Sequence, residues 1–205
     1  MARRGEELRQ HILRAAKEVF LEMGFERASM DVVAARAETS KRSLYAHFES
    51  KDKLFLAVVD LVRELYLDTL GTPDAYDDDV VEAAVLFCGR FLQLLLWEPA
   101  LRTCRLGIAE AERLPEASAR YYDAIFNASQ ERLAAFLGQR CGLAPATSAA
   151  VASELLGRTV YPRLFRALTG VEALLPEKPE EATIAADIDL APIRETAVAL
   201  LPKGR

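Results

Sequence analysis

The sequence predicts an all-α protein, and three observations carry that reading. Apolar residues recur at three- and four-residue steps along most of the 205 residues, the period of a buried helix face. Stretches that alternate apolar and polar, the mark of a strand, are nearly absent. Hydrophobic residues make up 51% of the chain, which suits a packed core rather than disorder.

The elements follow in order. A first helix is expected over 5–23, with Leu8, Ile12, Ala15, Ala16, Val19, Phe20 and Met23 as one stripe. Gly24 stops it. Ser29 is placed as the N-cap of a second helix to residue 37, and Glu38-Thr39 as a turn. Ser40 caps a third helix ending near residue 48. Ser50 caps a fourth, whose stripe of Phe55, Val58, Val59, Val62 and Leu65 continues to about residue 70. GTPDAY (71–76) is a turn-rich break. Asp77, Asp78 and Asp79 open a helix to residue 97, acidic groups where the helix dipole favours them.

Pro99 opens the next helix, to about residue 113, and Pro115 separates it from one over 116–140. A helix over 147–169 contains Pro162, which should kink it near Arg158. Residues 170–192 are acidic and proline-punctuated and read as a loop. A short helix over 192–201 ends the series. The total is about nine helices: three compact ones, a connector over about 50–70, and a bundle of five. The domain division expected is 1–53 and 54–205.

Charge refines the division. The formal net charge of −5 is wrong for a nucleic-acid binder taken whole. Residues 1–53, however, hold 11 Lys+Arg against 9 Asp+Glu, a net of +2, and residues 54–205 hold 15 against 22, a net of −7. A small basic reader on an acidic body still concentrates positive charge where phosphates would sit.

Cys88, Cys104 and Cys141 are widely spaced and odd in number, and with His11 and His47 they complete no metal pattern. Reduced thiols in a cytosolic protein are expected, with a Cys88–Cys104 redox pair as the alternative. The charged start, MARRGEELRQH, lacks the apolar centre of a signal peptide. The apolar stretch 80–97 is broken by Glu82, Arg90 and Gln93 and is too short for a membrane span, so it is expected as a buried helix. No catalytic triad, metal cluster or glycine-rich phosphate loop supports an enzyme, and no cofactor is expected.

Residues 29–53, SMDVVAARAETSKRSLYAHFESKDK, carry the functional signal. They read as two short helices joined by a tight turn. Leu44 and Phe48, four apart, should face inward with Val33 and Ala34. Lys41, Arg42, Ser43, Tyr45 and His47 are left outside. Lysine and arginine can reach phosphates or guanine edges, and serine, tyrosine and histidine can hydrogen-bond phosphates. Backbone N–H groups near Ser29 and Ser50 suit phosphate oxygens, and Lys51 stands beside one of them. This is the plan of a helix-turn-helix, whose second helix enters the major groove. A helical adaptor that binds only protein is the rival; it would not need Lys41 and Arg42.

Residues 12–55 resemble the N-terminal domain of the TetR family of one-component transcriptional regulators. The matching features are AA..VF...GF in the first helix, S...VVA..A in the second and SK.SLYAHF.SKD.L across the third and fourth. The resemblance implies an all-α homodimer on palindromic double-stranded DNA. It implies that Ser29, Ser40, Lys41, Arg42, Ser43, Tyr45, His47 and Lys51 meet the DNA. Two residues depart from the family pattern. Glu38 stands where the turn usually holds glycine, and Arg42 stands where glycine is frequent.

Residues 105–116, RLGIAEAERLPE, resemble the corresponding region of AefR-like members. That implies a ligand-binding and dimerisation body, usually with a repressor role, and the expected function is a repressor released by a small-molecule effector. An activator, or a regulator without a small ligand, is the alternative within the family. Aromatic walls with a few polar groups line small-molecule sites. Phe87, Phe91, Trp97, Leu101, Arg105, Ile108, Tyr122 and Phe126 are therefore the expected ligand contacts, with Arg105 and Glu112 as a polar pair on one helix face. By resemblance the dimer interface uses the last two helices, with Leu155, Leu164, Val198 and Leu201 as contacts.

Overall fold

Two compact units make up the chain, and they interleave in sequence: Met1–Leu65 with Arg102–Tyr122, and Tyr66–Leu101 with Asp123–Arg205. The computed structural model describes residues 2–175, 177, 179–180 and 184–202, and no strand occurs among them. None of the described helices is long and apolar enough to cross a membrane.

The first unit contains α1 (Ala2–Arg27), α2 (Met30–Arg36), α3 (Lys41–His47), most of α4 (Lys51–Leu70), most of α6 (Glu98–Ala109) and α7 (Pro115–Tyr122). The stripe of α1 is buried as its period requires: Ile12, Ala16 and Val19 are fully enclosed. Gly24 breaks the helical path at φ 75°, a conformation that costs glycine little and other residues more. The turn it makes brings Phe25 back beside Phe20, rings 5.8 Å apart, and Phe55 of α4 meets both edge-on at 5.1 Å. Ser29, Ser40 and Ser50 each accept a hydrogen bond from the backbone N–H three residues on, at 3.2, 3.0 and 3.2 Å.

The second unit contains the end of α4, a 3₁₀ turn (Pro73–Ala75), α5 (Val80–Leu96), the first turn of α6, a π turn (Asp123–Asn127), α8 (Ala128–Cys141), α9 (Pro145–Thr159), α10 (Tyr161–Leu168) and α11 (Ala191–Leu200). Asp79 caps α5 by accepting from Val81 and Glu82. The 3₁₀ turn, α8, α10 and α11 enclose α5, while α8 pairs with α9 and α9 with α11.

Two expectations about the helices are corrected here. The two units interleave because α7 and most of α6 group with the first. There Ala117 and Tyr121 are buried, and they share a small apolar recess with Phe20, Val58, Val59, Leu106 and Gly107. Two of the nine expected helices are each divided. The helix over 116–140 is interrupted by the π turn, whose extra residue rephases α8 relative to α7. The helix over 147–169 ends at Thr159 and restarts at Tyr161, because Pro162 has no N–H for the Arg158 carbonyl. Finally, α6 stops at Ala109, so Glu112 lies in the following turn and shares no helix face with Arg105.

The loop expected over 170–192 acts as a strap on α5; its residues 176, 178 and 181–183 lie outside the described residues. Leu175 N–H donates to Leu96 O at 2.9 Å. The approach is closest at Gly89. A Cβ there would stand 2.5 Å from Leu190 Cδ2 and 2.9 Å from Ala185 Cβ. Arg90 and Gln93, the polar breaks in the α5 sequence, are 1% and 0% exposed. Arg90 donates to Gln93 Oε1 (2.8 Å) and to the backbone carbonyl of Glu180 (3.0 Å), and Gln93 Oε1 accepts from Ala185 N–H (3.1 Å). The sequence reading gave neither residue a role.

Glu38 adopts φ 46°, the left-handed conformation that favours glycine. Replacing Glu38 with glycine removes a cost of about 1 kcal/mol, partly offset by glycine's greater freedom when unfolded. The expected outcome is a melting temperature higher by a few degrees, read by circular dichroism; a fall would show that the Glu38 side chain stabilises the turn.

Candidate functional site

The outer face of the first unit is built on a buried seam. Val33 and Leu44 are fully enclosed, and Ala34 and Phe48 nearly so. With these positions inward, α3 must turn Lys41, Arg42 and Tyr45 outward, and all three are exposed. Arg42 makes no hydrogen bond or ion pair among the described residues. Its five donors are available for bidentate contact with guanine or phosphate. Tyr45 is 43% exposed, with its ring on the same face.

The other expected contacts are placed differently. Ser29 and Ser40 are exposed, but their hydroxyls accept from α2 and α3 backbone N–H groups. Ser43 Oγ is half-buried, 2.9 Å from Ser40 Oγ. His47 is half-buried beside the Phe48 ring. Lys41 Nζ lies 2.7 Å from Asp31 Oδ1 on α2, and that bond holds the ammonium pKa above its ordinary value. Asp31 was not among the expected site residues. It lies in the first turn of α2, and its partner is ten residues further along the chain.

Lys51 is the expected contact most engaged within the protein. Its ammonium donates to the carbonyls of Phe25 (2.8 Å), Glu26 (3.3 Å) and Ala28 (3.0 Å) and sits 4.3 Å from the Phe25 ring centroid. Those are the carbonyls left open where α1 ends, so Lys51 closes that helix. Its three protons are committed within the protein. It still lines an open groove with Ser29, Met30, Asp31, Lys41 and Tyr45.

The eight expected ligand contacts are divided between the two units. Phe87, Phe91, Leu101 and Phe126 are buried in the second unit, with Trp97 half-buried. Arg105, Ile108 and Tyr122 belong to the first unit and are exposed, Ile108 at 60% and Tyr122 at 55%.

What the second unit does assemble is a chain of aromatic contacts that starts at a buried phenol. Tyr66 stands edge-on to Phe91 at 6.0 Å. Phe91 meets Phe126 at 6.4 Å, and Phe126 meets Tyr161 at 6.1 Å. Tyr66 Oη is buried without a hydrogen bond of good geometry. Ser129 lies beside it, but its hydroxyl donates to the Ile125 carbonyl at 2.6 Å. Burial pushes the Tyr66 phenol well above its ordinary pKa, so it is a neutral donor. A buried tyrosine hydroxyl is not a periodicity signal, which is why sequence reasoning passed over Tyr66 and Tyr161.

Three of the four expected interface residues are enclosed within a single chain. Leu155, Leu164 and Leu201 are 0%, 4% and 5% exposed and belong to the core of their own chain. Only Val198, 54% exposed, faces outward. The apolar surface of α9–α11 that remains open includes Ala149, Ala150, Phe165 and Val198, with Phe165 at 65%. The choice of Leu155 and Leu164 followed hydrophobicity, which marks a core as readily as an interface.

The thiols are quiet. Cys88 is buried in one unit and Cys104 in the other, and burial raises both, Cys104 to about 11. No cluster of possible metal ligands occurs among the described residues.

Comparison with known proteins gives a consistent picture. Residues 12–58 match the family profile described as bacterial regulatory proteins, tetR family. Residues 82–191 match the AefR-like transcriptional repressor, C-terminal domain. The HTH-type transcriptional activator FasR of Mycolicibacterium smegmatis is 50% identical over 54 residues, covering 26% of this chain and 25% of FasR. The HTH-type transcriptional regulator QacR of Staphylococcus aureus is 35% identical over 54 residues, covering 26% of this chain and 29% of QacR. The matched part is thus about a quarter of the length of these curated relatives. Among solved structures, a TetR-family regulator from Mesorhizobium loti superposes with a TM-score of 0.78 at 22% identity, over 96% of each chain. The flavonoid-responsive regulator FrrA superposes with a TM-score of 0.71 at 25% identity, over 97% of this chain and all of FrrA.

Two outcomes follow from the placements. Lys51→Ala is expected to lower stability by about 1–2 kcal/mol, because three carbonyls lose a charged donor, while Arg42→Ala leaves the melting temperature unchanged; equal melting would show that the Lys51 contacts contribute nothing. In native protein a thiol reagent should label Cys141 first, and rapid labelling of Cys88 would contradict its burial.

Proposed function

The chain belongs to the TetR family of transcriptional regulators, and from that we infer a repressor that dimerises on a palindromic operator and is released by a neutral aromatic effector. Members of this family bind DNA and act as dimers, and none of this requires enzymatic chemistry. In this reading residues 1–53 read DNA, and residues 54–205 sense the effector and dimerise.

The observation that carries the DNA reading is the outward pair Arg42 and Tyr45, held on α3 by buried Leu44 and Phe48. Two such heads related by a dimer axis occupy half-sites spaced by about one helical turn or a multiple. The open apolar surface of α9–α11, with Phe165 and Val198 most exposed, is the dimer face.

The repressor sign draws on the AefR-like repressor profile, which spans residues 82–191. The similarity to the activator FasR lies in 54 residues, a length that fits the head alone, and a head does not set the sign. The effector reading rests on the Tyr66 phenol among the Phe91, Phe126 and Tyr161 rings, a donor awaiting an acceptor on an aromatic guest. The flavonoid response of FrrA accords with that chemistry.

A guest must prefer one state of the body to act, since equal binding shifts no equilibrium. A coupling of about 1–3 kcal/mol changes operator occupancy roughly 5- to 150-fold. α4 (Lys51–Leu70) is a continuous helix that begins in the first unit and ends in the second, and it carries Tyr66.

The test is binding to intergenic DNA flanking the protein's own gene. Arg42→Ala is expected to weaken that binding tenfold or more, as loss of a bidentate base contact does; unchanged affinity would remove Arg42 from the interface. In release assays with a panel of flavonoids, Tyr66→Phe should keep DNA binding and need about 3- to 10-fold more effector, the worth of one neutral hydrogen bond. An unchanged response would remove Tyr66 from the effector site.

A further inference from the structure

We propose that Asp31 is a specificity-determining residue, whose carboxylate 2.7 Å from Lys41 Nζ withholds that ammonium from phosphates and so lowers affinity for arbitrary DNA. The proposal rests on the DNA-binding reading above.

The groove on the outer face of the first unit is lined by Ala28, Ser29, Met30, Asp31, Lys41, Tyr45 and Lys51. It contains two cations, and both are engaged inside the protein. Lys51 donates to three backbone carbonyls, and Lys41 is bound to Asp31. Arg42, next in the chain, carries no such partner among the described residues. The head therefore has more formal positive charge than it can offer to a phosphate backbone.

That matters unequally for the two kinds of DNA. Binding to arbitrary sequence is almost wholly electrostatic, and its salt dependence counts the phosphates neutralised. Binding to an operator adds base contacts, which are short-ranged and directional. A carboxylate that occupies Lys41 subtracts from the first term and leaves Arg42 and Tyr45 free for the second. Both partners are exposed, so the pair contributes little to stability and each can be changed without opening the core.

The experiment is fluorescence-anisotropy titration from about 50 to 200 mM salt. The DNA is a mixed-sequence duplex of about 30 base pairs, roughly three helical turns, and, alongside, the fragment bound best in the intergenic assay. The proteins are the wild type, Asp31→Asn, Lys41→Ala and the double variant, each checked for helicity by circular dichroism.

Asp31→Asn is expected to bind the mixed duplex several-fold tighter, with a salt slope steeper by about one. The gain on the bound fragment should be smaller, so the ratio of specific to arbitrary affinity falls. Lys41→Ala should cost little in the wild type and abolish the gain in the Asp31→Asn background. An unchanged slope, a gain that survives Lys41→Ala, or equal gains on both DNAs would each overturn the proposal while leaving the DNA-binding reading intact. Failure of all four proteins to bind either duplex would overturn both.

Discussion

Two helices of seven residues each cannot stand in water, because so short a helix does not repay its own nucleation. α2 and α3 exist because of what they bury, and the whole outer face of the head depends on that seam. Val33 and Leu44 fix the rotation of the two helices, and rotation decides which side chains face outward. The Phe20–Phe25–Phe55 cluster fixes the floor beneath them, and the Gly24 turn is what lets Phe25 join it. Lys51 then closes α1 a few residues before α2 begins. Charge on the surface of this head is thus divided between holding the head together and meeting a partner.

The second unit shows the converse problem, a charge inside an apolar helix. A guanidinium enclosed as Arg90 is must be given acceptors, since burying it bare is far costlier than any contact it makes. The strap supplies them as backbone carbonyls, and Gln93 ties the strap back through Ala185. Gly89 allows the strap to lie that close. α5 and the strap are therefore tied together, and α5 carries Phe91, whose ring meets Tyr66. The strap also explains how an irregular, acidic segment belongs to an otherwise helical body.

Much of the architecture was legible because it is periodic or punctuated. The α1 stripe, the three serine caps, the Asp79 cap and the break at Pro162 are all local events, decided within one turn of helix. The left-handed turn at Glu38 was legible through the family pattern rather than through Glu38 itself. What was not legible depends on where elements meet. The roles of Lys51 and Asp31 are set by neighbours that lie 23–26 and 10 residues away in sequence. Leu155 and Leu164 look like interface residues and core residues alike until the fold decides. Arg105, Ile108 and Tyr122 are exposed on α6 and α7, an outcome that apolar spacing alone does not decide.

The central claim is that two identical heads read a two-fold symmetric DNA site through α3. Selection of fragments from the organism's own genome by the purified protein, followed by sequencing of the bound pool, tests it most directly. The account predicts enrichment of an inverted repeat whose half-sites lie about one helical turn, or a multiple, apart. A bound pool with no shared motif, or a motif without two-fold symmetry, would contradict it.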